Sequence, residues 1–152
     1  MRRITRYLGL LALLVAAVTA ADTSVPTIAG DALLARQAAK DPSLVVLDVR
    51  TPEEYAAGHV PGAVNVPHDQ VAARLDELAP LKDKDVVVYC KAGKRAGLAL
   101  ETLGKAGYTR LLHLEGDMQA WSAAGRPVET SAAPAAPAAP AAPAAVPPAP
   151  KP

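Results

Sequence analysis

The sequence contains a single cysteine, Cys90, among its 152 residues. A disulfide needs two cysteines at a fixed separation, so none can form within this chain. An unpaired cysteine in an exported protein indicates either a reactive thiol or pairing with another molecule. The lone cysteine is therefore the first candidate for a functional residue.

The chain also lacks a strong excess of charge of either sign. Its formal net charge is +1, and the balance becomes about −2 without Arg2, Arg3 and Arg6, which belong to the N-terminal segment discussed next. A nucleic-acid-binding domain normally carries a basic patch or stripe. The charge balance therefore gives no indication of a nucleic-acid partner, and the one notable local concentration of cations follows Cys90.

The N-terminal apolar run is too short for a membrane-spanning helix, which needs about 20 residues. It extends from Leu8 to Val18, follows the three arginines and precedes the small residues 17–21. This order is typical of a secretory signal peptide. We therefore expect residues 1–21 to be a cleaved signal peptide and the mature protein to be periplasmic or secreted, without stable membrane insertion. An uncleaved anchor is the alternative.

The C-terminal segment, residues 131–152, lacks the large apolar side chains that build a core. Ala132 to Pro143 consists of four Ala-Ala-Pro repeats. Proline at every third position removes amide donors and favours an extended, polyproline-like chain. We expect a disordered Ala/Pro-rich tail of unknown partner, either a passive solubilising segment or a spacer or partner-binding segment.

The central residues, 25–130, alternate between strand and helix patterns. Strands are predicted at 44–50, 63–66, 85–89 and 111–114, and helices at 31–39, 68–78, 95–105 and 117–123. A further short helix is predicted to start after Thr51, and Gly58 limits its length. Thr51, Pro52 and Glu54 form a helix start with a capping box. Such alternation implies an α/β domain with a mainly parallel central sheet and helices on both faces.

Three adjacent valines, Val86 to Val88, predict a doubly buried strand, and Cys90 lies at its C-terminal end, directly after Tyr89. In open α/β sheets, ligands bind at the carboxyl ends of the strands. Lys91, Lys94 and Arg95 follow, together with the permissive Gly93, and a helix opens near Arg95. Backbone amides, a helix N-terminus and nearby cations all favour a thiolate over a thiol. The alternative is that Cys90 is merely a small buried apolar residue.

Several segments, in this order, resemble the motifs of the rhodanese domain family. The first comprises Leu-Asp-Val-Arg at 47–50, Glu-Glu-Tyr at 53–55 and Gly-His-Val-Pro-Gly-Ala at 58–63. The second is the loop C-x-x-G-x-R at 90–95. The third, at 114–121, is similar to a closing G-G-x-x-x-W segment. The last segment departs from the family pattern at Glu115, where a glycine is usual. The resemblance covers residues 27–129 and implies a rhodanese-like fold. Single-domain size and a signal peptide resemble the small exported sulfurtransferases of bacteria.

The resemblance implies an enzyme of the thiosulfate sulfurtransferase type. Cys90 matches the nucleophile that takes a sulfane sulfur from a small anionic donor such as thiosulfate and passes it from a persulfide to cyanide or a thiol. Arg50 matches a residue that can help to hold the anionic donor, although an ion pair with Glu53 or Glu54 is an equal alternative. No metal or cofactor is implied. The amides matching the anion cradle belong to Lys91, Ala92, Gly93, Lys94 and Arg95.

Two other matching positions, Asp48 and His59, are interpreted as structural residues that order the loops at the strand ends. A catalytic base at His59 is the less favoured interpretation, because an already ionised thiolate needs no base.

Two other functions use the same strand–loop–helix arrangement. Cysteine-dependent phosphatases and arsenate reductases place five residues between cysteine and arginine, whereas Cys90 and Arg95 enclose one fewer. A shorter loop makes a narrower cradle, suited to one sulfur atom rather than to a tetrahedral oxyanion. The other possibility is a persulfide carrier or binding module without turnover, which an intact Cys90 does not exclude.

Overall fold

The computed structural model describes residues 24–131 of the chain. The predicted signal peptide, residues 1–21, and the Ala/Pro-rich tail beyond Ser131 lie outside the described residues, and both stay predictions. Within residues 24–131, none of the helices is both long enough and apolar enough to cross a membrane.

In the described part of the chain, five strands form one sheet in the order β1-β5-β4-β2-β3. All neighbouring pairs are parallel. This arrangement confirms the predicted α/β class and places the carboxyl ends of the strands at one edge. The strands are β1 (Thr27–Ile28), β2 (Leu44–Asp48), β3 (Val64–Asn65), β4 (Asp85–Tyr89) and β5 (Leu111–Leu114).

Helices connect the strands, as parallel pairing requires. The short helix α2 shows how closely local sequence controls one boundary. The Thr51 hydroxyl accepts the N–H of Glu54 at 3.3 Å, and the Glu54 carboxylate accepts the N–H of Thr51 at 3.2 Å. The predicted capping box is therefore confirmed. The helices are α1 (Gly30–Ala38), α2 (Pro52–Ala57), α3 (Leu75–Leu78), α4 (Lys94–Lys105) and α5 (Asp117–Ala123), with a 3₁₀ turn at Ala79–Leu81.

The predicted helix at 68–78 is the element that differs most from the structure. Only its last turn, α3, is helical, and the residues before it form successive turns. The N–H of Gln70 bonds to the carbonyl of Pro67, and the N–H of Arg74 bonds to that of Gln70. Val71 is nevertheless fully buried. The segment thus buries an apolar side chain, but it is too short to form a regular helix along its whole length.

The core lies on both faces of the sheet because successive side chains of β4 point in opposite directions. Val86, Val88 and Cys90 pack with residues of α4 on one face, whereas Val87 packs with residues of α1 and α5 on the other. Trp121 of α5 is buried in that second layer. The central position of β4 therefore brings Cys90 to the carboxyl edge of a rigid sheet.

Candidate active site

The sulfur of Cys90 lies beside a backbone amide of the loop that leads into α4. The side chain is only 2% exposed, and its Sγ accepts a hydrogen bond from the N–H of Gly93 with an N···S distance of 3.1 Å. Gly93 is also the N-cap of α4, and the N-terminus of a helix favours negative charge nearby. Burial alone fits either interpretation of Cys90, but the donor directed at its sulfur favours the reactive one.

Gly93 has a backbone conformation that other residues rarely adopt. Its φ is +95°, in the region that glycine enters at no steric cost. A Cβ at this position would lie 3.2 Å from Oδ2 of Asp117 and 3.5 Å from the His113 ring. The glycine predicted in the loop is therefore required both by the turn and by the close approach of side chains from β5 and from the start of α5.

The first residues of α5 hold the backbone of Cys90 in place. The N–H of Cys90 donates to Oδ1 of Asp117 at 2.7 Å. The carbonyl of Cys90 accepts the N–H of Met118 at 3.0 Å, and that of Lys91 accepts the N–H of Gln119 at 3.1 Å. The first amides of α5, which have no partner within their own helix, thus fix the start of the loop. The sequence analysis did not identify Asp117 as a residue of the site.

Asp117 also requires a correction to the interpretation of the closing motif. Counting back from Trp121, the pattern G-G-x-x-x-W places its glycines at 116 and 117. The structure has left-handed backbone at both positions, with φ of +67° at Gly116 and +54° at Asp117, but not at Glu115. The predicted departure at Glu115 is therefore wrong. The residue that stands in place of a glycine is Asp117, and it touches the Cys90 loop.

Arg95, whose amide is predicted to belong to the anion cradle, directs its guanidinium mainly at Glu54. Its guanidinium donates to both carboxylate oxygens of Glu54 in α2, at 2.6 and 3.0 Å. The hydrogen bond to Glu54 is the main reason why the pKa of Arg95 is raised, and Cys90 contributes less. The side chain of Arg95 therefore ties α4 to α2.

We expect this pair to make folding stability depend on pH at the acid end. The hydrogen bond from Arg95 is the main cause that lowers the pKa of Glu54 from 4.5 to about 2. A carboxylate whose pKa is lower in the folded state contributes stability above its unfolded-state pKa and loses it as the pH falls through the folded value. Between about pH 4.5 and pH 2, the melting temperature of wild type should fall more steeply than that of Glu54→Gln.

The control for this measurement is Glu115→Gln, which changes an exposed glutamate outside the pair. It should retain the wild-type slope of melting temperature against pH. Identical slopes for wild type and Glu54→Gln would contradict the assignment.

Arg50 lies at the end of β2 and is nearly buried. Its guanidinium pairs with Asp48 and donates to the carbonyl of Gly58 at 2.8 Å. The alternative of an ion pair with Glu53 or Glu54 is therefore wrong in its partner, because the two-residue spacing lets Arg50 fold back onto Asp48. Donor binding by Arg50 stays a prediction.

The cavity beside the loop nevertheless includes Arg50. It has a volume of about 310 Å³ and is lined by Arg50, Glu54, Lys91, Met118, Gln119 and Ser122. Lys91 and Lys94 are exposed, as is Ala92 between them, and neither lysine forms an ion pair with a residue of the described range 24–131. A cation of the loop and the guanidinium of Arg50 thus line one opening.

Asp48 and His59 have the structural surroundings expected of them. Asp48 is fully buried and accepts the hydroxyl of Tyr89 at 2.6 Å as well as the guanidinium of Arg50. His59 stacks on Tyr55 at 3.6 Å between ring centroids, and its Nδ1 lies 2.8 Å from the Tyr55 carbonyl. In the part of the chain that the structure describes, no group of three or more His, Cys, Asp or Glu side chains could hold a metal ion.

The parallel sheet and the cysteine loop at its carboxyl edge define an α/β domain with a thiol that accepts a hydrogen bond from a backbone amide at a helix N-terminus. The sequence model of the rhodanese-like domain matches residues 31–124. The chain therefore belongs to the rhodanese-like domain family, as the resemblance predicted.

Curated relatives include proteins named as sulfurtransferases. A sulfurtransferase of Allochromatium vinosum is 37% identical over 95 residues, which are 62% of this chain and 87% of that protein. The thiosulfate sulfurtransferase PspE of Escherichia coli is 45% identical over 65 residues, 43% of this chain and 62% of that protein. Coverage of several further relatives is lower, at 52–59% of their length.

Solved structures share the fold. The rhodanese-like domain of the Anabaena protein Alr3790 has a TM-score of 0.63 at 27% identity, covering 83% of this chain and 95% of that one. A Rhodopseudomonas palustris protein, described as of unknown function and a possible tyrosine phosphatase, has a TM-score of 0.62 at 29% identity, with coverage of 70% and 86%. The fold is therefore shared by proteins to which different chemistries have been attributed.

Proposed function

We propose that the protein is a sulfurtransferase that moves a sulfane sulfur from thiosulfate, or a similar anionic donor, to cyanide or a thiol through a persulfide on Cys90. The observation that carries the proposal is the N–H of Gly93, which donates to Sγ of Cys90 at the N-terminus of α4. Successive backbone amides of this kind form a concavity suited to an anion. The relatives named as sulfurtransferases support the same chemistry.

The proposed reaction has two displacement steps. The Cys90 thiolate attacks the outer sulfur of thiosulfate, a new S–S bond forms, and the original S–S bond breaks with its electron pair leaving on sulfite. The acceptor then attacks the terminal sulfur of the persulfide, taking that atom and returning the thiolate. No proton transfer is needed when the acceptor is cyanide, and the cysteine is in the same oxidation state before and after turnover.

The cations of the loop are proposed to attract the anionic donor. We expect the double variant Lys91→Ala/Lys94→Ala to lose roughly tenfold in kcat/KM for thiosulfate at low ionic strength, because clustered charges raise encounter rates. Both side chains are exposed and unpaired within the described residues, so melting temperature should hardly change. Steady-state kinetics at low salt and at about 1 M salt test this, since the higher concentration screens the attraction.

The control is the double variant Lys82→Ala/Lys105→Ala, which removes the same charge from two exposed positions. Lys105 is the last residue of α4, at the end of the helix remote from Cys90. This control variant should keep wild-type kinetics. If the loop variant also does so, donor attraction belongs to Arg50 and the backbone amides alone.

Phosphatase or arsenate chemistry is the second candidate, because the Rhodopseudomonas palustris protein shares the fold. Such chemistry requires an arginine side chain free to bind the equatorial oxygens of a phosphate. Here the Arg95 side chain is bound at both ends of its fork by Glu54. The shorter loop and this ion pair both favour the sulfur chemistry.

Measured turnover separates an enzyme from a sulfur carrier. With thiosulfate and cyanide in excess, an enzyme releases thiocyanate continuously, whereas a carrier that thiosulfate cannot reload releases at most the one equivalent of sulfur that it already carries on Cys90. We expect continuous release. Release of one equivalent of thiocyanate would assign the protein to the carriers and would remain consistent with a persulfide on Cys90.

We also propose that the protein is exported, because residues 1–21 have the order of a secretory signal peptide. The mature form isolated from its native cell envelope should begin at Ala21 or Asp22, and N-terminal sequencing measures this directly. A protein that retains Met1 in the membrane fraction would instead be anchored by this segment.

A further inference from the structure

Asp117 is a buried carboxylate at the base of the Cys90 loop that the proposed sulfur chemistry does not use. It is 3% exposed and begins α5. Burying a carboxylate is costly unless hydrogen bonds satisfy it. The partners of Asp117 therefore indicate what its carboxylate does.

Those partners all belong to the loop or stand behind it. Oδ1 accepts the N–H of Cys90 at 2.7 Å, and Oδ2 lies 3.1 Å from Nε2 of His113. Oδ2 is also the nearest atom that a Cβ at Gly93 would meet. Asp117 thus bonds to Cys90 and lies beside Gly93, and these two residues are the acceptor and the donor of the hydrogen bond at the sulfur.

We infer that Asp117 is a positioning residue, whose carboxylate, held by His113, fixes the Cys90 amide and the underside of Gly93 and so sets the geometry of the loop around the sulfur. A hydrogen bond to a carboxylate is shorter and stronger than a neutral one. The Asp117 carboxylate accepts the N–H of Cys90, and the N–H of Met118 donates to the Cys90 carbonyl. Both backbone groups of the nucleophile are therefore bonded by the first residues of α5. The orientation of Cys90 is thus set by the junction of β5 and α5.

The left-handed backbone at Asp117 allows a clean test. Its φ of +54° is accessible to glycine, aspartate and asparagine without the steric cost that other residues meet. Asp117→Gly and Asp117→Asn therefore both fit the backbone and both remove the negative charge. They differ in one respect, because asparagine keeps an oxygen that can accept the Cys90 amide and glycine does not.

The experiment measures the rate at which iodoacetamide alkylates Cys90 as a function of pH, in both variants and in wild type. We expect Asp117→Asn to alkylate at least as fast as wild type at pH 7 and Asp117→Gly to be about tenfold slower than Asp117→Asn. Once the Cys90 N–H has lost its acceptor, the loop shifts and the N–H of Gly93 no longer points at the sulfur. Lys40→Gly is the matched control, since Lys40 also has left-handed backbone, with φ of +52°, but is exposed and lies in the turn after α1.

Equal alkylation rates in Asp117→Gly and Asp117→Asn, whether both are unchanged or both are lower than that of wild type, would overturn the inference. If Asp117→Gly does not fold, His113→Ala decides. It removes the group at 3.1 Å from Oδ2 and should slow alkylation two- to threefold, and an unchanged rate would overturn the inference.

The relevance of this positioning to sulfur transfer rests on the proposed function, but alkylation of the thiol does not. A slower Asp117→Gly together with a wild type that transfers no sulfur would reject the proposed function and retain the positioning role. Normal sulfur transfer by wild type, together with equal alkylation rates in the two Asp117 variants, would retain the proposed function and reject the positioning role.

Discussion

Cys90→Ser will abolish sulfur transfer from thiosulfate and leave the fold intact. A hydroxyl replaces a thiol of nearly the same size in a site that already contains a donor, the N–H of Gly93. Serine is not ionised near neutral pH and cannot form a persulfide. Wild type incubated with thiosulfate should gain about 32 Da, the mass of one sulfur, and lose it again on addition of cyanide. Intact-mass spectrometry measures both changes.

The control is wild type incubated with sulfite, which contains no sulfane sulfur and should add no mass. The chain has no second cysteine, so any gained sulfur is assigned to Cys90 without peptide mapping. Residual transfer by Cys90→Ser would be inconsistent with the persulfide mechanism. Efficient hydrolysis of aryl phosphates by a wild type that never gains sulfur would favour the phosphatase alternative instead.

Gly93→Ala should have the second largest effect, because it damages the cradle without touching the nucleophile. A φ of +95° is strained for alanine, at a cost of about 1–3 kcal/mol. The added methyl group would also lie 3.2 Å from the fixed carboxylate oxygen of Asp117. Because the loop must shift to relieve both, we expect sulfur transfer to fall about 100-fold. Initial rates below the melting temperature of the variant separate this loss from unfolding.

Gly97→Ala provides the matched control one turn further along α4. A Cβ there meets no atom within 4 Å, and the residue lies inside the helix. Alanine is the better helix former by about 1 kcal/mol, so this variant should be slightly more stable and equally active. Similar activity losses in both variants would mean that α4 as a whole, rather than the geometry at Gly93, limits the reaction.

Local patterns in the sequence determined most of the secondary structure. The three valines before Cys90 predicted a doubly buried strand, and β4 is the central strand. Thr51 and Glu54 predicted a capping box, which the structure contains. Both features depend on residues within a few positions of each other. For the same reason, the loop after Cys90 could be recognised from its glycine and its spacing.

Weak local signals were missed. The two residues of β1 carry too little pattern to predict a strand, and they form one only by pairing with β5. The helix predicted to begin at Asp31 begins instead at Gly30, and the Asp31 carboxylate is bound by Arg126. In each case a distant partner decides the conformation, because short segments have little conformational preference of their own.

The tertiary structure alone decided which side chains support the nucleophile. Asp117 reaches the Cys90 amide across 27 positions of sequence, and Glu54 takes the guanidinium of Arg95 across 41. Strand order creates these pairs, because β5 and β2 both lie beside β4 and their carboxyl ends meet at one edge. The sequence by itself determined the nucleophile and its loop, whose chemistry is local. The groups that hold them were decided by the sheet, since side-chain hydrogen bonds act over about 3 Å in space, whatever the separation along the chain.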